Sequence, residues 1–174
     1  MNPKRMTQSA LASTVAALKR RGKTVVFTNG CFDLLHAGHV RYLAAARAMG
    51  DLLIVGVNSD ASVRRLKGAT RPIVPLSQRL EVLAALAVVD YVVAFGAATP
   101  LGLITALAPD VLVKGADWAT ADIVGKHIVE QGGGRVARVR VTPNLSTTRL
   151  IARIVGQQTD HHCRSAHPLP PSSF

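Results

Sequence analysis

The sequence predicts an α/β fold, a doubly wound parallel sheet in a single domain, and three observations carry the prediction. Short aliphatic runs recur along the chain, and segments with helical spacing separate them. Turn-forming, polar stretches follow several of those runs directly, at Thr28–His39, Asn58–Asp60, Lys114–Trp118 and Pro143–Thr148. With 174 residues, 48% of them hydrophobic and only 4% aromatic, the chain can bury one sizeable core of small aliphatic side chains.

In chain order, Leu11, Val15 and Leu18 fall on one helical face and predict a leading helix. Thr24 to Phe27 is a short buried strand, and Val40 to Met49 carries apolar and Arg residues at helical spacing. Leu52 to Val57 is a second strand. Ser77 to Ala87 is expected to be a helix capped by Ser77, Tyr91 to Phe95 a strand, Pro100 to Leu107 a helix and Val111 to Val113 a strand. Asp122 to Glu130 is expected to be helical, Arg135 to Val141 extended, and Leu150 to Val155 part of the final helix. Strands separated by helices imply parallel βαβ units, whose ligands sit beyond the carboxyl ends of the strands. The domain reading is an N-terminal helix in 1–22, the main domain over 23–156, and a loose tail over 157–174 in which His161, His162, Cys163 and His167 precede Pro168, Pro170 and Pro171.

Composition narrows the function classes. No apolar run approaches the ~20 residues that span a bilayer, and Met1 to Arg21 lacks the apolar centre of a secretory signal, so a cytoplasmic protein without membrane insertion is expected. Cys31 and Cys163 are isolated and supply neither a disulfide framework nor a zinc ligand set, and no acyl-transfer constellation surrounds Cys31. The net charge of +11, concentrated at Lys4, Arg5, Lys19, Arg20, Arg21 and Lys23 and again at Arg135, Arg138, Arg140, Arg149 and Arg153, suits polyanions. A basic nucleic-acid-binding module is the non-enzymatic alternative, but no aromatic interleaving or zinc-finger spacing accompanies the charge, and phosphorylated small molecules would also favour a positive field. The reading is therefore of no specific nucleic-acid partner and no protein-held metal.

The chemistry concentrates in Thr28-Asn29-Gly30-Cys31-Phe32-Asp33-Leu34-Leu35-His36-Ala37-Gly38-His39, which follows a strand and opens a helix. Gly38 permits close backbone approach at a helix start, where unpaired N–H groups and the positive dipole end face an anion. His36 and His39 add side-chain donors beside those amides. The combination of residue types points to a phosphate-handling turn.

From these residues the chain resembles the nucleotidyltransferases that carry His-x-Gly-His, and among them the bacterial D-glycero-β-D-manno-heptose 1-phosphate adenylyltransferases. Further segments carry the resemblance: Val57 to Gly68, Arg71-Pro72-Ile73, Val89 to Val93, Leu112 to Gly115 and Ser146-Thr147-Thr148. It spans about Lys23 to Ile154 and is to the stand-alone form of a domain that many bacteria fuse behind a sugar kinase. It implies a Rossmann-like fold and transfer of AMP from ATP to a sugar 1-phosphate, with Mg²⁺ neutralising the triphosphate. A homodimer stays open.

By the same resemblance, His36, His39 and Lys67 are the catalytic set, with Lys67 a charge clamp on the phosphates. Nucleotide contacts fall to Thr28, Asn29, Gly30, Phe32, Asp33, Gly38, Lys114, Gly115, Asp117, Ser146, Thr147 and Thr148. Within that set Thr28 is expected to hydrogen-bond a phosphate oxygen, Phe32 to pack beneath the turn and Asp33 to orient the loop. Asn58, Asp60, Arg71 and Arg79 are the candidates for the sugar-phosphate side, although Arg71 and Arg79 could equally pair with a surface acid such as Glu81. One departure bears on the base: Ala116 and Trp118 stand where the heptose enzymes usually carry Gly and Tyr, and Asp-Trp is common in glycerol 3-phosphate cytidylyltransferases. Val141, where those enzymes tend to place Arg, argues mildly against CTP. A cytidylyltransferase acting on a polyol phosphate is thus the enzymatic alternative.

Overall fold

The computed structural model describes residues 2–116, 119, 123–140, 142 and 145–164, with 157–164 described by their backbone alone. Helix α1 (Gln8–Arg20) starts at Thr7, whose hydroxyl accepts from the Ala10 amide and satisfies one orphan donor of the first turn. Leu11 and Val15, one turn apart, are its fully buried face. Strand β1 (Val25–Gly30) follows, then α2 (Ala37–Arg47), β2 (Leu52–Asn58), α3 (Asp60–Lys67), α4 (Leu76–Ala85) and β3 (Tyr91–Phe95). The chain continues through α5 (Leu101–Leu107), β4 (Val111–Gly115), α6 (Lys126–Gln131), β5 (Arg135–Val139) and α7 (Thr147–Arg164).

The five strands form one sheet in the order β3-β2-β1-β4-β5, and every neighbouring pair is parallel, as the alternation of strands and helices predicted. Strand residues alternate between two cores. Val26, Leu53, Val55 and Val57 pack with Leu43 and Ala46 of α2 and Leu80, Leu83 and Ala84 of α4. Val25, Phe27, Leu52 and Ile54 face the other way, against α1, α5 and α6 through Leu11, Val15, Leu103, Ile104, Leu107 and Val129. Burying each such side chain stabilises the fold by about 1.5–3 kcal/mol, so the helices are held on both faces by the sheet rather than by their own propensity.

Three aspartates stitch the amino-terminal edge of the sheet. Asp51, just before β2, accepts from the Thr24 amide (2.8 Å) and pairs with Lys23. Asp90, just before β3, accepts from the Leu53 amide (2.7 Å) and pairs with Arg47. Asp110, just before β4, accepts from the Val25 amide (2.8 Å) and pairs with Lys19. Each carboxylate thus supplies the acceptor for an amide at or beside the start of a strand.

Four boundaries differ from the sequence reading. Helix α4 begins at Leu76 behind Pro75 (φ −62°), with no side-chain cap, so Ser77 lies inside the helix and does not cap it. Helix α6 begins only at Lys126, because Gly125 takes a left-handed conformation (φ 87°) that interrupts the turn; Asp122 lies outside the described residues. Helix α3 had no counterpart in the sequence reading. Helix α7 runs past Gln157 to Arg164, a stretch free of Pro and Gly. No helix among the described residues is long and apolar enough to cross a membrane.

Candidate active site

The connections leave β1 in one direction, through α2 to β2, while β4 pairs with β1 from the other side. The crevice of a doubly wound sheet opens at such a reversal. The motif loop leaves β1 here and β4 ends beside it at Gly115, so the expected convergence of these two segments holds. At the head of α2, His36 is the N-cap residue in an extended conformation and His39 lies in the first turn. Their rings stack, with centroids 3.9 Å apart and planes 27° from parallel. The His36 amide reaches back to His39 Nδ1 (3.4 Å), which assigns that nitrogen as an acceptor and leaves the N–H of His39 on Nε2. His36 Nδ1 is buried without a hydrogen-bond partner among the described residues.

Burial pushes the His36 imidazole below its ordinary value. Burial, aided by the charge of neighbouring His36, lowers His39 to about 4. Both imidazoles are therefore neutral at pH 7, and His39 presents an N–H rather than a cation. A side chain on Gly38 would place its first carbon 2.9 Å from the His36 ring and 3.3 Å from Leu145, so only glycine lets the ring and the chain before α7 close on the helix start. Phe32, at φ 47°, is buried and sets its ring 5.5 Å from His39, packing beneath the turn as expected.

Asp33 is the structural knot of the loop. Its carboxylate accepts from the Ile73 amide (2.9 Å), the Val74 amide (2.8 Å) and the Arg71 guanidinium. Burial pushes this carboxyl up, but the hydrogen bonds from Val74, Ile73 and Arg71 outweigh burial and hold it below the ordinary carboxylate value. It orients the loop, as read from the sequence, and Arg71 answers Asp33 rather than a surface acid.

Arg79 is a correction. It was a candidate for the sugar phosphate or a surface pair with Glu81, yet its side chain is 0% exposed. It donates to the carbonyls of Val74 (2.9 Å), Cys31 (2.5 Å) and Asn58 (2.8 Å) and to the Asp60 carboxylate (2.7 Å). It braces four segments from inside. Asp60 serves that brace, and Asn58 is buried with its amide on Ser62 (2.9 Å), so both act first as structure at the end of β2. Ser59 caps α3 through the Ser62 amide, and α3 ends at Lys67, before Gly68 at φ 97°. Lys67 is exposed, and its charge is felt at the Cys31 thiol. Burial nevertheless raises that thiol above its ordinary value, against a nucleophilic role.

Thr28 is fully buried, and its hydroxyl lies 2.7 Å from Tyr42 of α2 instead of facing the crevice. Lys114 reaches across from β4 to Asn29 Oδ1 (2.5 Å), joining the two strands that flank the crevice. Gly30 lies under Phe32, since an added carbon there would stand 3.1 Å from its ring. Ser146 accepts from the Arg149 amide, and Thr147 donates to Leu34 O (3.4 Å), which brings the start of α7 against the motif loop. Thr148 is exposed in that first turn. Trp118, which with Ala116 bore on the choice of base, lies outside the described residues, as do Asp117 and Val141. Sequence reasoning missed Tyr42 and the bracing role of Arg79; the signal for each is a polar group on an otherwise apolar helix face.

A family model described as cytidylyltransferase-like matches residues 27–153, from the middle of β1 into α7. The chain belongs to that family. Among relatives of this cytidylyltransferase-like chain, the bifunctional protein HldE of Geotalea uraniireducens is 59% identical over 145 residues, covering 83% of this chain and 30% of that protein. The bifunctional protein HldE of Syntrophotalea carbinolica is 54% identical over 148 residues, covering 85% and 30%. The chain thus spans about 30% of the length of these curated relatives. The crystal structure of a lipopolysaccharide core biosynthesis protein from Thermoplasma volcanium superposes with a TM-score of 0.58 at 30% identity, covering 70% of this chain and 98% of that one. A pantoate–β-alanine ligase from Francisella tularensis shares the fold alone, at 16% identity and a TM-score of 0.58.

Proposed function

We propose that the chain is an adenylyltransferase that moves AMP from ATP to D-glycero-β-D-manno-heptose 1-phosphate, giving ADP-heptose and pyrophosphate. The observation that carries the reading is the stacked, neutral His36–His39 pair at the start of α2, facing the switch point of the sheet. The similarity to bifunctional HldE proteins supports it, and so does the resemblance of segments 57–68 and 71–73 to heptose 1-phosphate adenylyltransferases. A cytoplasmic location belongs to the same reading.

In the proposed reaction a phosphate oxygen of the sugar 1-phosphate forms a bond to the α-phosphorus, and the bond from that phosphorus to the bridging oxygen breaks. The electron pair leaves on pyrophosphate. The attacking oxygen is already anionic, so no general base is required, and catalysis reduces to alignment and to stabilising charge on the transferring group. His39 Nε2–H and the first amides of α2 would donate to the α-phosphate, with His36 beside them. Lys67 would clamp the triphosphate from α3, and the amides opening α7 at Thr147 and Thr148 would receive its outer phosphates. Asp33 and Asp60 already accept from arginines and amides, so oxygen ligands for Mg²⁺ would come chiefly from the triphosphate. When bound, Mg²⁺ would neutralise charge on the phosphates and on the leaving group.

Pyrophosphate release, measured for each nucleoside triphosphate against a panel of phosphorylated sugars and polyols, tests the proposal. ATP with the heptose 1-phosphate is expected to exceed CTP with glycerol 3-phosphate in kcat/KM by at least about tenfold, roughly 1.4 kcal/mol. The reverse preference would overturn it in favour of cytidylyl transfer.

A further inference from the structure

Tyr42 lies three residues beyond His39 on α2 and therefore on the same side of the helix, one turn further in. Its hydroxyl donates to the carbonyl of Val113 in β4 (3.2 Å) and lies 2.7 Å from the Thr28 hydroxyl in β1. A carbonyl can only accept, so the Tyr42 proton goes to Val113 and the Thr28 hydroxyl is the donor in the second bond. The relay therefore runs from β1 through α2 to β4, across the reversal at which the crevice opens. It also commits the one proton that Thr28 could have offered a phosphate.

We propose that Tyr42 is a positioning residue for His39: the Thr28–Tyr42–Val113 relay fixes the roll and height of α2 over the two central strands, and thereby where the His39 N–H points. The proposal rests on the adenylyl-transfer reading of the same site. Other contacts place parts of the motif loop: Asp33 ties it to residues 71–74, and Arg79 holds Cys31. Neither holds α2 beyond its first turn, and the Arg47–Asp90 pair holds only its far end. His39 and Leu43 lie four residues apart on one helix face and move together, so a shift small enough to keep Leu43 and Ala46 in the core still moves the His39 N–H, and the effect should appear in the rate before it appears in folding.

The test is a double-mutant cycle with Tyr42→Phe and Thr28→Val, plus Thr28→Ser as the conservative variant. Turnover is measured with ATP and the heptose 1-phosphate, alongside thermal unfolding and ¹⁵N NMR of the His39 imidazole in the ligand-free protein. Tyr42→Phe and Thr28→Val should each lower kcat by about tenfold with KM for ATP within about twofold, and the double variant should lose no more than the worse single one. Thr28→Ser, which keeps the hydroxyl, should stay within about twofold of wild type in kcat. Multiplying losses in the double variant would overturn the relay and return Thr28 to direct phosphate contact. A Thr28→Ser variant as slow as Thr28→Val would overturn it in favour of packing. A wild type inactive with this substrate pair would count against the proposed reaction. The positioning claim then stands or falls on NMR: His39 ring signals must move in both Tyr42→Phe and Thr28→Val, and spectra superimposable on wild type would end it.

Discussion

The two edges of the sheet are built on opposite principles. At the amino-terminal edge Asp51, Asp90 and Asp110 each accept from a strand amide and each meet a Lys or Arg. At the carboxyl-terminal edge two imidazoles stack with one buried nitrogen left without a partner among the described residues, and Lys67 stands exposed on α3. One edge is satisfied and the other is in want of an anion. Leaving a buried polar nitrogen unpaired costs roughly 1–3 kcal/mol, a penalty that a fold tolerates where a ligand makes up the loss. The contrast teaches where to look for function in a parallel sheet: not where charges are densest but where polar groups are unanswered.

Arg79 is the exception that sharpens the contrast, because it sits at the carboxyl-terminal edge yet belongs to the satisfied kind. Replacing it with Met would strip donors from the carbonyls of Cys31, Asn58 and Val74 and release Asp60. Urea unfolding should show a loss of about 3–5 kcal/mol, the largest effect expected in this molecule. A wild-type midpoint would remove Arg79 from the structural side of the comparison.

A matched pair tests the comparison itself. His39→Ala should lower kcat by about 100-fold or more, some 2.7 kcal/mol in the barrier, with an unfolding midpoint no lower than wild type. Asp110→Ala leaves the Val25 amide and Lys19 without their carboxylate and should cost about 1–3 kcal/mol of stability with kcat unchanged well below Tm. If both variants moved both quantities equally, the two edges would not be functionally distinct.

How much of this was legible beforehand depends on how local each signal was. The sheet was legible because Val25–Phe27, Leu52–Val57 and Val111–Val113 are apolar runs separated by helical spacing, and the motif turn because two histidines around Gly38 are an unusual set at a strand-to-helix junction. Helix α3 was not, since Ser62 and Val63 are its only buried residues and no apolar stripe announces it; the capping serine at position 59 was the available clue. Arg79 and Tyr42 were hidden for another reason. Their partners are main-chain carbonyls and a hydroxyl brought near only by the fold, Val113 lying 71 residues from Tyr42 and Cys31 lying 48 from Arg79. Spacing cannot reveal a contact whose acceptor is carried by every residue type. The same limit hides the bond between Thr28 and Tyr42, since the position of Thr28 before the motif reads as a ligand contact and nothing in the spacing announces Tyr42.

The last expected effect concerns pH and bears on the unanswered edge alone. His39 titrates at about 4 in the folded protein, against an ordinary value of about 6.5, with burial as the chief cause and the His36 charge second. The unfolded chain therefore takes up a proton between about pH 6.5 and 4 that the folded chain refuses, so stability falls as pH drops through that window. The contribution is fully present above about 6.5 and exhausted below about 4. His36 is shifted in the same direction and adds to the trend, whereas the depressed carboxyl of Asp33 acts only at lower pH. His39→Gln lacks this proton linkage, so the wild-type urea midpoint should fall relative to the variant's as pH is lowered from 7.5 to 4.5. NMR titration of the His39 ring should place its midpoint well below 6. A midpoint near 6.5 would mean that the imidazole is neither buried nor held against His36, and the carboxyl-terminal edge would lose the neutral donor on which its proposed chemistry depends.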